Sequence, residues 1–370
     1  MQLSASSAGT LLLTALALAA VCVAACFDRA TTTASYQHHQ DDTGRISTPE
    51  VRSTVDNEEL QLNTRWSADV ISGATPVAAA PDAYSRASEF EQTRHEAQVG
   101  ANWQQSAEQQ WAGGVTASHE PDYDALALST AVSRDILDRH ATVIVGADAG
   151  FDHVGRVDDP LFSRSLWTVG VAVEFSHIIN PQLVAHLGWD FETRSGFQSN
   201  PYRWVPVYDG SHRPALMLHE QHPHRRVRNA MEPMVVWAPH HELFVHMGYR
   251  FYADDWGVRG HTGQLRLFHA DDSDRYRTGV RLRGYTQNDA RFYRERYDDV
   301  QTLRTGDPRL SRMYSLTAGG RLELRPELFD RHRPRLSLNY DATLYRYANY
   351  PVRSSMLAHS WGLNLTMEWK

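Results

Sequence analysis

Along most of this chain, apolar side chains fall on every second residue. The clearest case is Trp361-Gly-Leu-Asn-Leu-Thr-Met-Glu-Trp369-Lys370. Trp361, Leu363, Leu365, Met367 and Trp369 share one face, while Gly362, Asn364, Thr366, Glu368 and Lys370 share the other. A period of two marks a strand with one apolar and one wet face. Aromatics at both ends of the apolar face, with aliphatics between, suit a strand that meets lipid and two membrane interfaces.

Thirteen earlier segments repeat the pattern from Asn57 onward. Among them, Leu60, Leu62, Trp66, Ala68 and Val70 mark the first, and Trp167, Val169, Val171, Val173 and Phe175 the sixth. Leu183, Ala185, Leu187, Trp189 and Phe191 mark the seventh, and Leu243, Val245, Met247, Tyr249 and Phe251 the ninth. Connections after the second, fourth, sixth, eighth and tenth segments are short, as in Gln105-Ser-Ala-Glu108 and Ile179-Asn-Pro-Gln182. Those after the first, fifth, seventh and eleventh are long. Short periplasmic turns alternating with long outer loops is the habit of outer-membrane barrels. A soluble sandwich also alternates, but nothing in it makes loop length follow parity.

The pattern therefore predicts an all-β fold: a transmembrane up-and-down antiparallel β-barrel of about 14 strands over residues 57–370. It would sit in a Gram-negative outer membrane with both termini periplasmic. Trp103, Trp111, Phe175, Trp237 and Trp369 fall at periplasmic strand ends, and Trp66, Trp167, Tyr249 and Phe251 nearer the other rim. Two aromatic belts fit two membrane interfaces.

The first 26 residues carry no charge, and the apolar run Leu11–Val21 is too short for a membrane helix. Small residues follow it, so residues 1–26 read as a signal peptide. Val23-Ala24-Ala25-Cys26 fits a lipobox that would acylate Cys26; it equally fits a plain cleavage site. Both cysteines, Cys22 and Cys26, lie here, so the remainder can form no disulfide. Residues 27–56 are polar and aperiodic and read as a disordered periplasmic lead-in. The net charge of −7 gives no sign of nucleic-acid binding, and Lys370 is the one lysine among 37 lysines and arginines.

Inward positions are polar and of mixed sign. The candidate pore-lining set is Glu174, His186, Asp190, Glu192, His246, Arg250, Arg266, Arg277, Arg281, Arg283 and Arg321. It places an arginine-rich sector on the ninth to twelfth segments, facing acidic sixth and seventh segments. Such separation would orient a permeating solute; alternatively, the charges pair as a structural network. Eight strands fill their own interior and sixteen to eighteen leave an aqueous channel, so about fourteen implies a narrow or partly plugged pore.

Two constellations bear on chemistry. In Asp254-Asp-Trp-Gly-Val-Arg-Gly-His261, Asp254, Asp255, Trp256 and His261 share a tight outer-mouth turn. A carboxylate pair near a histidine could activate water or hold a cation; the simpler reading is a capped turn with Trp256 packed beneath a loop. In the long loop after the seventh segment, His212, His219, His222 and His224 are candidate metal ligands. The spacing is not that of a helical zinc protease, and Pro223 excludes a helix. No phosphate loop or dinucleotide fingerprint occurs. The expectation is a passive channel for small polar or charged solutes without a cofactor. The alternatives are a closed barrel acting as an envelope scaffold or partner-binding protein and, behind it, a rim hydrolase. Expected partners are outer-membrane lipids, the barrel-assembly machinery and a periplasmic or lipoprotein partner, with no nucleic acid.

Several phrases carry a resemblance. Asp69-Val-Ile-Ser-Gly-Ala-Thr-Pro76, Ser195-Gly-Phe with Asn200-Pro-Tyr-Arg203, Asp254-Asp-Trp-Gly-Val-Arg-Gly-His-Thr262 and, more weakly, Ala290-Arg-Phe-Tyr293 span most of the chain. Together they resemble a bacterial outer-membrane family known as domain of unknown function 3570. Gly260 stands where that family usually has serine. The resemblance implies a barrel and an envelope location, and no activity.

Overall fold

Every segment that alternates in the sequence is a strand, and two further strands precede them. The computed structural model describes residues 27–74, 89–210, 213–273, 275–326 and 334–369. The signal segment with Cys26, the end of the Asp69–Pro76 phrase, and His212 lie outside the described residues.

The strands are β1 (Arg29–Asp41), β2 (Gly44–Asp56), β3 (Leu60–Ala74), β4 (Glu89–Ser106), β5 (Gln109–Glu120) and β6 (Tyr123–Ile136). They continue with β7 (Ala141–Val154), β8 (Arg164–Asn180), β9 (Leu183–Gly196), β10 (Trp204–Tyr208), β11 (Pro214–His219) and β12 (Arg225–His240). The remainder are β13 (Leu243–Asp254), β14 (Arg259–Ala270), β15 (Tyr276–Gln287), β16 (Met313–Leu324), β17 (Arg335–Tyr347) and β18 (Ser355–Trp369). Sixteen of them form one closed antiparallel barrel in chain order. β9 pairs directly with β12, because β10 and β11 form a separate two-stranded sheet in the connection between them. The ring closes where β1 meets β18, from Ala30 opposite Trp369 to Gln40 opposite His359.

Two expectations are corrected here. The barrel has sixteen strands rather than about fourteen, and residues 29–56 are not a disordered lead-in but its first hairpin. The segment lacks an apolar stripe, yet its threonines and serines bond across the ladder. Thr33 lies 2.9 Å from Thr366, Thr32 lies 3.0 Å from Ser53, and Thr54 donates to Asn63 at 2.9 Å. β-branched Thr suits a pleated surface, and strands on both sides satisfy the backbone groups.

The outward face carries the apolar residues. Val99, Leu128, Leu316, Leu338 and Leu363 are all exposed, as bilayer-facing positions would be. Trp103, Trp111, Trp237 and Trp369 ring the end with the short turns, and Phe151, Trp167, Tyr249 and Phe251 ring the opposite, loop-bearing end. Most inward positions are polar or small, with Met234 and Phe268 among the larger apolar exceptions. The close strand-to-strand approach shows at Gly319, where a Cβ would meet the Tyr340 carbonyl oxygen at 2.7 Å.

Candidate lumen and loop-end mouth

The lumen wall is built by strand alternation, so inward side chains find partners two residues along the same strand or on strands one or two away in the ring. Glu192 on β9 accepts from Arg194 and from Arg228 on β12, both at 2.8 Å. Arg250 on β13 lies 3.7 Å from Asp190 and 3.5 Å from Glu232. Arg281 pairs with Asp341 at 2.7 Å and Arg321 with Glu323 at 3.0 Å. Arg277 sits opposite Glu323 in the β15–β16 ladder. His186 lies beside Met234, and the His246 ring packs edge-on against Phe268 at 5.2 Å.

The sequence-based picture of a basic sector facing an acidic one across the lumen is therefore replaced. Only β12 separates acidic β9 from β13 in the ring, and their charges join into ladders along the wall. Some charges remain uncompensated. Arg266 has a glutamine partner, Gln264 at 3.1 Å, and its Nε is buried without a hydrogen bond. Arg283 lies over the Tyr285 ring. Neither has a carboxylate partner among the described residues, and Glu174 on β8 likewise has no cationic one. A cavity of about 570 Å³ opens beside Arg266, Arg281 and Arg321.

The mouth at the loop end is narrowed by an ordered cap. The β10–β11 sheet packs on the β15–β16 connection, where Tyr208 N donates to Tyr297 O at 2.8 Å and Gln221 and Arg304 exchange backbone bonds. Val205, Val207 and Tyr297 are buried between them. Toward the other wall, Tyr202 OH donates to Asp122 in the β5–β6 turn and accepts from Val157 N at 2.8 Å. β5 and β15 stand eight strands apart in a ring of sixteen, so the two connections together bridge opposite walls. Beneath them lies a cavity of about 810 Å³, bounded by Arg94, Glu120 and Tyr123 on one wall, Arg250 and Gln287 on another, and Arg309 from the cap.

A buried ionic cluster holds the cap. The Glu220 side chain has no solvent exposure. It accepts from Thr305 Oγ1 at 2.6 Å, Asn200 N at 3.0 Å and Arg203 Nη1 at 3.3 Å. Arg203 also reaches Asp307 at 3.1 Å, and Asp307 receives Arg309 at 2.8 Å while capping the short turn Pro308–Leu310. Burial alone would push the Glu220 carboxyl up, but His222, Arg203 and Thr305 hold it down at about 2. Asp307 behaves alike: burial raises it, yet Arg203 and Arg309 hold it well below the usual range. The sequence shows the phrase Asn200-Pro-Tyr-Arg203, but not that it meets Glu220 and Asp307.

The outer-mouth turn is assembled around Asp254. Arg226 reaches its Oδ2 at 2.5 Å, Tyr252 OH donates at 2.8 Å, and Val258 N donates to Oδ1 at 2.8 Å. Gly257, with φ +91°, makes the turn possible. Asp255 accepts from Val227 N at 2.9 Å. Trp256 is 4% exposed; it donates to Arg225 O at 2.8 Å and lies under the Arg226 guanidinium at 4.1 Å. His261 does not join them. It faces the barrel exterior, 2.5 Å from Tyr249 OH and against Phe251. Asp254, Asp255 and His261 border one outer cleft, but Asp254 turns inward, His261 turns outward to Tyr249, and His261 bonds neither carboxylate.

The loop histidines are dispersed as well. His219 packs at a tilt against Trp204 with ring centres 3.7 Å apart, and burial together with Arg156 and Arg304 pushes its pKa down. His222 is buried with Nδ1 3.0 Å from Gln198 O, and His224 lies 3.3 Å from Gly196 O. Among the described residues, the group that does converge is His240, His241 and Glu242, in the short connection between β12 and β13 at the opposite end of the barrel.

The chain can now be set beside known proteins. Residues 163–346 match the model of a family described as "Protein of unknown function (DUF3570)". That stretch includes β9 to β16, with the Asn200–Arg203 and Asp254–Thr262 phrases. No curated protein matches the chain. Among solved structures, a bacterial polysaccharide outer membrane secretin aligns at 7% identity and TM-score 0.53, over 92% of this chain and 98% of that one. CdiB from Acinetobacter baumannii aligns at 8% identity and TM-score 0.50, over 91% of this chain and 60% of that one. The siderophore receptor PirA from Pseudomonas aeruginosa aligns at 11% identity and TM-score 0.44, over 90% of this chain and 61% of that one. This chain therefore spans about three fifths of PirA and of CdiB. The likeness is one of fold: a closed barrel of the kind found in outer-membrane proteins.

Proposed function

We propose that the protein is a passive channel for small polar or charged solutes in a Gram-negative outer membrane, with its short turns toward the periplasm. The observation that carries this reading is a closed sixteen-strand wall whose lumen holds charges without counter-charges among the described residues. Sixteen strands reach the size at which barrels leave an aqueous channel. Arg266 and Arg283 on one sector, and Glu174 on another, offer a charged solute an attraction that no opposite charge among the described residues already satisfies. The apolar outer face and two aromatic belts support the membrane setting. Lipids are then its surroundings, and the barrel-assembly machinery the route of insertion.

Conductance across a planar bilayer tests the proposal. Ionic current is expected from the purified barrel, and Arg266→Glu with Arg283→Glu should move the reversal potential toward cation preference. A second reading draws on the cap: a mouth bridged from wall to wall suits a closed barrel that serves as an envelope scaffold. No current in the unaltered protein, and none when the cap is loosened by Glu220→Gln, would favour that scaffold and sink the channel. The rim-hydrolase alternative loses its support with the separation of His261 from Asp254 and Asp255.

A further inference from the structure

We propose that the turn end of the barrel carries a zinc site formed by His240, His241 and Glu242 of the β12–β13 turn with His269 of β14. Ligand atoms of His240, His241 and Glu242 lie within 4.8 Å of one another. Glu242 is the centre of the group. His240 Nδ1 is 3.9 Å from its Oε2, His241 Nε2 is 4.0 Å from its Oε1, and His269 Nε2 is 3.7 Å from its Oε2. Tetrahedral zinc with bonds of about 2.0–2.1 Å places its ligand atoms roughly 3.4 Å apart. The distances to Glu242 are 3.7–4.0 Å and the ligand atoms of the turn residues lie within 4.8 Å of one another, so binding requires rotation of these exposed side chains toward the ion.

Three features favour an ion here over a chance cluster. The ligands come from the β12–β13 turn and the end of β14, and the two backbones are tied where Ala270 N donates to Glu242 O at 2.8 Å. A second carboxylate, Asp272 of the β14–β15 turn, lies 2.9 Å from His241 Nε2, the same ring atom that faces Glu242, and can take a ligand position itself. The His240 and His241 rings lie 4.1 Å apart, on the same side of the turn. Imidazole nitrogens with a carboxylate oxygen suit a borderline cation such as zinc rather than calcium or magnesium. The site lies at the end opposite the cap and is independent of the channel reading; bound zinc would clip adjacent periplasm-side turns together.

The test is a zinc titration of the folded full-length barrel in detergent, in competition with a chromophoric chelator. One saturable equivalent is expected. His241→Ala and His269→Ala should each weaken it by at least about tenfold, while His219→Ala and His224→Ala, in the cap loop, should leave it unchanged. Cobalt substituted for zinc should show the intense visible bands of a tetrahedral centre. The substituted side chains are exposed at turns, and heat-modifiable migration verifies that each variant folds. Absence of a saturable equivalent in the unaltered protein overturns the proposal. So does affinity that survives both His241→Ala and His269→Ala, or that falls with the cap-loop histidines instead.

Discussion

Replacing Glu220 by glutamine should open the cap while leaving the barrel closed. The side chain keeps its shape but loses the charge that Arg203 and His222 face and that Thr305, Gly306 and Asn200 donate to. The size of the effect follows from the carboxyl itself. Its pKa falls from 4.5 to about 2 in the folded cap, and at about 1.4 kcal/mol per unit this corresponds to roughly 3 kcal/mol of preference for the charged form. No discount for solvent applies, because the side chain is fully shielded. Leaving Arg203 with Asp307 as its remaining acid limits the additional cost of an unpaired buried cation. Loss of about 3 kcal/mol raises the open population on the order of 100-fold. Hydrogen exchange reads this directly: amides of residues 197–224 and 288–312 should exchange faster, while those of β4 to β8 should not change. Unchanged exchange in the cap would refute the idea that this carboxylate holds it. Faster exchange throughout the wall would show that Glu220 supports the barrel rather than its lid.

Acid should act on the same cluster. Glu220 and Asp307 both titrate below their unfolded values, so their contribution is complete above about pH 4.5 and is lost as pH falls toward 2. Pepsin should therefore cut the cap loops increasingly between pH 4 and 2 while heat-modifiable migration persists; cutting that is independent of pH in that window would contradict it. Trp256→Ala removes a buried ring, its bond to Arg225 O and its stacked guanidinium, which should cost about 3–5 kcal/mol locally, read as trypsin cleavage at Arg259 or within 288–312. Asp255→Asn retains an oxygen for Val227 N, so its migration and trypsin pattern should match the parent. Deleting residues 27–56 should abolish the folded, heat-modifiable species, since β1 and β2 are two of sixteen staves; a stable shorter barrel would refute their role in closure.

The alternation of apolar residues revealed fourteen strands because lipid demands an apolar side chain at nearly every outward position. β1 and β2 escaped that test. Their outward residues, Thr32, Ala34 and Tyr36 on one strand and Pro49, Val51 and Ser53 on the other, are too mixed to sound a period. Which side chains face inward was equally legible, since parity alone decides it. Partnership was not, because it depends on register. Arg281 finds Asp341 sixty residues away, and Arg203 finds Asp307 across two separate loops. Proximity in sequence misled in the opposite sense for His261, which parity sends outward while Asp254 points in. The loop histidines drew attention by their spacing, whereas the cluster that converges pairs a turn with a strand 27 residues on.

The seam between β1 and β18 also orders events in time. Most ladders in the ring join strands adjacent in the chain, so each can form as a hairpin with little chain to gather in. The seam instead joins Ala30 to Trp369. Gathering a free chain of that length would cost about 5 kcal/mol in closure entropy, against about 1 for a tight turn. Hairpins must therefore accumulate first and curl the sheet until its edges approach. Until that last ladder zips, both β1 and β18 expose a full row of unpaired backbone groups, the kind of edge that captures other chains. The newly made protein is most vulnerable to aggregation after nearly all of its structure is in place, and the threonine-rich, weakly apolar face of β1 makes that waiting edge less adhesive than a lipid-facing strand of leucines would be.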